Sequence, residues 1–166
     1  MDQKQPPPSR RETIVIGAIA AAFGLFFVLV SLGIVPLQGK AKAPMWVVAL
    51  AGLCFLLGGL AVLVPAAVTG VVRADGELPE GSPQWLRLVQ YLFGLAIFAS
   101  FAAIGSWVAF GPGVRSFGSN LPLLSSSGAN EMIGRIAFGI GAVITWLCLI
   151  AFARYGWRKL VRRGKA

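Results

Sequence analysis

Residues 14–35 read IVIGAIAAAFGLFFVLVSLGIV, 22 consecutive positions without a charge. An α-helix rises about 1.5 Å per residue and needs about 20 residues to cross the hydrocarbon core of a bilayer. This run is long enough to span by itself. Three more follow: Met45–Val72, about Leu88–Phe110, and Ile136–Ala153, the last extending upstream to Met132. Lipid offers the backbone no hydrogen-bond partners, so each run satisfies its peptide groups only as a helix. A transmembrane barrel would instead show alternating segments of about 10 residues. The expected fold is all-α, a polytopic integral membrane protein. Its four-transmembrane-helix bundle is expected to be compact, with spans over 14–35, 45–72, 88–110 and 132–153, so that residues 14–153 form the transmembrane domain.

Composition agrees with the runs. Of 166 residues, 57% are hydrophobic and 13% charged, with a mean hydropathy of +0.77. Soluble domains carry about 25% charge, so this chain lacks the polar surface of a soluble enzyme. Disorder is excluded by the same figures, and two cysteines do not make a disulfide scaffold. Pro65 lies well inside the second run and predicts a kink or an end there.

Charge sets the expected orientation. Eleven of the fifteen Lys and Arg fall on the side of the N-terminus: Lys4, Arg10, Arg11, Arg73, Arg87, Arg154, Arg158, Lys159, Arg162, Arg163 and Lys165. Lys40, Lys42, Arg115 and Arg135 fall on the other. Basic residues stay in the cytoplasm, so both termini are expected there, in a cell membrane and first of all a bacterial inner membrane. Trp46 and Trp107 lie near outer span ends, and Trp85, Tyr155 and Trp157 near inner ones, at depths amphipathic rings prefer. Ala41-Lys42-Ala43 has the form of a signal cleavage site, but the run before it is longer than a signal peptide's apolar core and Pro44 follows. Arg10 and Arg11 are read as an anchor for the first helix rather than part of a twin-arginine export signal, because Thr13-Ile14 does not supply that signal's usual strong apolar follow-up.

Residues 1–13, with Pro6-Pro7-Pro8, read as a short extended cytoplasmic tail. The connection Pro36–Pro44 is short enough to make the first two helices an antiparallel hairpin. A turn-rich cytoplasmic loop, Arg73–Gln84, holds Asp75, Glu77 and Glu80. The outer loop, 111–131, mixes glycine, serine and the patch Leu121–Leu124, which suits a segment lying on the membrane or over the helix ends. At its end Glu131 and Arg135 stand i, i+4, the spacing of a local ion pair.

Reactive chemistry is scarce. Without histidine there is no Cys/His or Ser/His nucleophile pair and no histidine metal or haem ligand. No paired carboxylates share a helix face, and no phosphate-cradling glycine motif follows a strand. The central parts of the spans hold no ionisable residue of the kind that marks a proton or ion pathway. We expect no catalytic residue, no cofactor and no metal. Cys54 and Cys148 differ in depth by about 10 Å at 1.5 Å per residue, too far for a bridge, and read as small apolar fillers.

Packing signals are positive. Ala96, Ala99, Ser100, Ala103 and Ser106 fall within about 120° of arc at 100° per residue, opposite a bulky face of Ile97, Phe98, Phe101, Ile104 and Val108. Gly17 with Ala21, Ala20 with Gly24, Ala137 with Gly141, and Gly58-Gly59 add shorter small-residue seams. In lipid such residues let helix backbones approach closely. They are candidate contacts within the bundle or to a membrane-protein partner or second copy. The tail 154–166 carries six cations and no acid. Arg154, Arg158, Lys159, Arg162 and Arg163, interleaved with Tyr155, Trp157, Leu160 and Val161, suit contact with anionic lipids on the cytoplasmic face by a helix along the interface. That contact accounts for the net charge of +9 without nucleic acid. The first functional expectation is a non-enzymatic accessory, assembly or scaffold subunit. The second is a small oligomeric channel or facilitator for an uncharged or weakly polar solute.

Overall fold

The structure, a computed structural model, describes residues 9–36, 43–70, 78, 81–113 and 127–163, with the backbone alone at 127–129, 157 and 159–163. Four helices account for nearly all of them: α1 (Arg10–Ser31), α2 (Met45–Thr69), α3 (Gln84–Phe110) and α4 (Ser127–Arg163). All four are long and apolar enough to cross a membrane, α4 through its stretch Asn130–Gly156.

Local chemistry moves the helix ends away from the apolar runs. Helix α1 starts four residues before Ile14 because Ser9 caps it: Glu12 N donates to Ser9 Oγ at 3.3 Å, and Ser9 N donates to Glu12 Oε2 at 2.9 Å. This reciprocal capping box satisfies two orphan amides at once. It ends at Ser31 rather than Val35, where Gly33 takes φ 73° and turns the chain. Helix α2 does not end at Pro65 but continues through it and stops at Thr69, ahead of Val72, because Gly70 takes φ 67°. Pro83 precedes α3, which begins four residues before Leu88. Helix α4 is the largest surprise. Its 37 residues continue without a break from Ser127 to Arg163, so the basic segment is an extension of the last span and not a separate helix.

The helices pack in chain order. Helix α1 contacts α2, α2 contacts α3 and α3 contacts α4, and no contact between other helix pairs closes the row among the described residues. Each contact is antiparallel. Gly17 meets Gly59 while Gly24 meets Gly52 between α1 and α2. Trp46 stacks edge-on against Trp107 at 5.8 Å while Cys54 Sγ approaches Ile97 O between α2 and α3. Tyr91 meets Ala153 while Ser106 meets Trp146 between α3 and α4. Alternation therefore puts the start of α1 and the end of α4 at one end, called here the termini end.

The bundle is thus an open row rather than a compact ring. Burial falls along the row, from 28% of the apolar stretch of α1 through 17% of those of α2 and α3 to 6% of that of α4. The buried apolar residues are mostly small, such as Ala21, Cys54, Ala66, Ala102, Ala109 and Ala142, and among the described residues Leu86 is the one large side chain fully enclosed. Bulky side chains such as Phe23, Phe110, Ile140 and Leu147 face outward, the arrangement expected where lipid is the solvent.

Candidate functional site

The seam between α1 and α2 is built from four glycines. A Cβ on Gly24 would lie 2.6 Å from Gly52 O and run into the backbone of Leu56; one on Gly52 would lie 2.9 Å from Gly24 O. One helical repeat away, a Cβ on Gly59 would lie 2.6 Å from Gly17 O and meet the backbone of Ala21. Both helices space their glycines seven apart, so two turns of each present the same gap to the other. Of the residues singled out from the sequence, Gly17, Ala21, Gly24 and Gly59 are buried in this seam. Gly52 and its pairing with Gly24 were missed, and the shared spacing of seven was the available signal.

Two arginines close the helix ends. At the end opposite the termini, Arg135 on α4 donates to three carbonyls at the C-terminus of α3: Ala109 O at 3.5 Å, Gly111 O at 3.2 Å and Gly113 O at 2.5 Å. The same guanidinium pairs with Glu131, with Nε to Oε1 at 3.1 Å and Nη2 to Oε1 at 3.0 Å. The ion pair was legible from spacing, but the reach across to α3 was not. At the termini end, Arg10 Nε on α1 donates to Ala66 O in the last turn of α2 at 3.3 Å. In both places a cation meets carbonyls that a helix C-terminus leaves without partners, and the helix dipole favours it there.

The third helix divides its polar residues between its neighbours. Ser100 is 4% exposed and returns its hydroxyl to Ala96 O at 2.8 Å. Ser106 donates to Ala102 O at 2.7 Å and accepts from Trp146 Nε1 at 3.2 Å, tying α3 to α4. Ala96, Ala99 and Ala103 are half-buried, between these two contact directions. The α4 contact is made instead by Gly94, Gly105 and Ala109, with Phe152 lying over Gly94, Gly105 beside Ala142 and Ala109 beside Gly139. Tyr91 Oη donates to Ala153 O at 2.8 Å, and its ring occupies the space a side chain on Gly156 would need.

Away from α3, α4 presents Ala137, Gly141 and Cys148, all exposed. Positions 137, 141 and 148 fall within about 40° of arc at 100° per residue. Gly141 has nothing within 4 Å of the place a Cβ would take. Between α3 and α4, toward the Arg135 end, lies an open apolar groove of about 440 Å³ walled by Phe110, Ile136, Gly139, Ile140 and Val143. Arg154 and Arg158 are exposed on the last turns of α4; the side chains of Lys159, Arg162 and Arg163, and the acidic loop residues Asp75, Glu77 and Glu80, lie outside the described residues. Compared with known proteins, the chain matches no family model, no curated sequence and no solved structure.

Proposed function

We propose that the chain is a non-enzymatic multi-pass membrane protein, an accessory, assembly or scaffold subunit that receives another membrane protein or a second copy of itself against α4. The observation that carries this reading is the contrast between two lines of small residues. Between α1 and α2 every gap is filled by the neighbouring backbone, whereas the Ala137–Gly141–Cys148 line on α4 stands open on the last helix of an open row. Small residues supply close approach, and in lipid close approach is what drives helix association. The bias of eleven cations to the termini end supports a cytoplasmic placement of both termini.

Extraction in a mild detergent, followed by mass determination and identification of co-purifying proteins, tests the proposal. A complex that Gly141→Leu dissolves while the chain stays folded is the expected result. A chain that elutes alone at monomer mass in every mild detergent would count heavily against it.

A further inference from the structure

The last helix carries one exposed column that runs from its apolar stretch into its basic end. Ile140, Ile144, Leu147, Ala151, Arg154 and Arg158 are all exposed. Successive members are three or four residues apart, which keeps the six within about 80° of arc at 100° per residue. Contacts to α3 come from the other side of α4: Gly139 lies beside Ala109, Ala142 beside Gly105, Phe152 over Gly94 and Gly156 against the Tyr91 ring. The column therefore faces away from the rest of the chain. Helix α4 is continuous from Ser127 to Arg163, so the two arginines keep the register of the span instead of turning aside from it.

Arg154 and Arg158 stand one turn apart. Side chains at i, i+4 are neighbours, about 5–6 Å apart at Cβ, close enough for two guanidinium groups to meet one phosphate. Neither arginine is in an ion pair among the described residues, and the chain holds no Asp or Glu after Glu131. At the termini end Glu12 is the single acid among the described residues, and it is engaged in the capping box of α1, at the far end of the row from α4. The charge on this face thus has no counterpart within the described part of the chain. Helical side chains lean toward their own N-terminus, which on α4 brings both guanidinium groups back toward the apolar stretch. Tyr155, 67% exposed, stands beside them and belongs where hydrocarbon gives way to headgroups. Leu147 lies about 10 Å further along the apolar stretch than Arg154, at 1.5 Å per residue.

We infer that the outward face of α4 at the termini end seats an anionic phospholipid, its phosphate between Arg154 and Arg158 and an acyl chain along Ala151, Leu147 and Ile144. The inference rests on reading the four helices as membrane spans. It does not depend on the Ala137–Gly141–Cys148 line, which is turned about 80° away around the helix at 100° per residue. Guanidinium groups match phosphate oxygens in charge and geometry, and exposed aliphatic side chains on the same face continue the match along the lipid. Such a site also gives α4 a reason to continue as a cationic helix beyond its last apolar turn.

Native mass spectrometry of the detergent-solubilised full chain, titrated with dioleoylphosphatidylglycerol and dioleoylphosphatidylcholine, tests this. The wild type is expected to take the anionic lipid in preference. Arg154→Gln and Arg158→Gln should each lower that preference about fivefold, the attraction of one interfacial cation for anionic lipid converted at tenfold per 1.4 kcal/mol. Both side chains are exposed, so the variants keep the fold. Arg11→Gln, at the same end but on α1, should leave the preference unchanged. Glycerol 3-phosphate, which has the phosphate without acyl chains, should fail to displace the lipid. Equal binding of the two lipids by the wild type, or an unaltered preference in the double variant Arg154→Gln/Arg158→Gln, would overturn the inference. So would an equal loss in Arg11→Gln, which would spread the attraction over the whole end, or full displacement by glycerol 3-phosphate. Flotation with phosphatidylcholine vesicles reports insertion separately. Failure there removes the membrane reading itself, whereas insertion without lipid preference removes only this site.

Discussion

Gly24 of α1 and Gly52 of α2 stand face to face, each placed so that a Cβ on one would come within 3 Å of the carbonyl oxygen of the other. The obstacle is backbone, which cannot rotate aside as a side chain can. The separation of the two helix axes is therefore set at this pair and at its counterpart, Gly17 with Gly59.

Gly24→Ala should destabilise the α1–α2 hairpin by about 1–3 kcal/mol, the usual cost of overpacking a tight contact. Gly58→Ala is the matched control. Nothing lies within 4 Å of its Cβ position, and alanine is better than glycine in a helix by about 1 kcal/mol. Thermal unfolding in detergent should move down for the first and stay level or rise for the second. Equal shifts would show that the seam does not limit helix approach.

Arg135→Ala should cost about 1–3 kcal/mol, because it strands carbonyls of Ala109, Gly111 and Gly113 as well as breaking the ion pair. Glu131→Gln removes only the pair, for about 0–1 kcal/mol. Amide exchange at the C-terminal end of α3 should quicken in the first variant and change little in the second. If both variants behave alike, the cap on α3 has no energetic weight.

Tyr91→Phe keeps the ring over α4 and its contact with Phe152, at 5.3 Å between centroids, while removing the hydrogen bond to Ala153 O. A loss of about 0.5–1.5 kcal/mol is expected, the ordinary net value of one such bond. Gly156→Leu should cost more, since its side chain claims the space of the Tyr91 ring. Melting curves of the two variants rank these terms directly.

Cys148 offers a probe of self-association. It is exposed, two turns from Gly141 on the same line of α4, whereas Cys54 is buried. If two copies pair α4 against α4 in parallel, mild oxidation in membranes should yield a disulfide-linked dimer that Cys148→Ser abolishes and Cys54→Ser does not. Gly141→Leu should lower the yield severalfold. A dimer that survives Cys148→Ser would exclude this pairing.

Much of the architecture was legible in the chain itself. Four uncharged runs of 18 to 28 residues, each about as long as the hydrocarbon core of a bilayer is thick or longer, leave the backbone no alternative to helix, and an even number of spans returns both termini to one end. The i, i+4 spacing of Glu131 and Arg135 was enough to pair them, and Gly17 and Ala21 lie buried between α1 and α2. The helix ends were less legible. Ser9, Gly33 and Gly70 decide them through caps and left-handed turns that hydropathy does not register.

What the tertiary structure alone decided is which neighbour each helix takes. In water a buried face differs from an exposed one in hydropathy; in lipid both faces are apolar, so the pattern of a span carries little record of its contacts. The row of helices, the register that sets Gly24 against Gly52, the reach of Arg135 to α3 and the half-buried place of Ala96, Ala99 and Ala103 all depend on pairwise fit. Such fit is a property of two surfaces together. The sequence of either helix, taken singly, determines that it spans; only their packing determines against what.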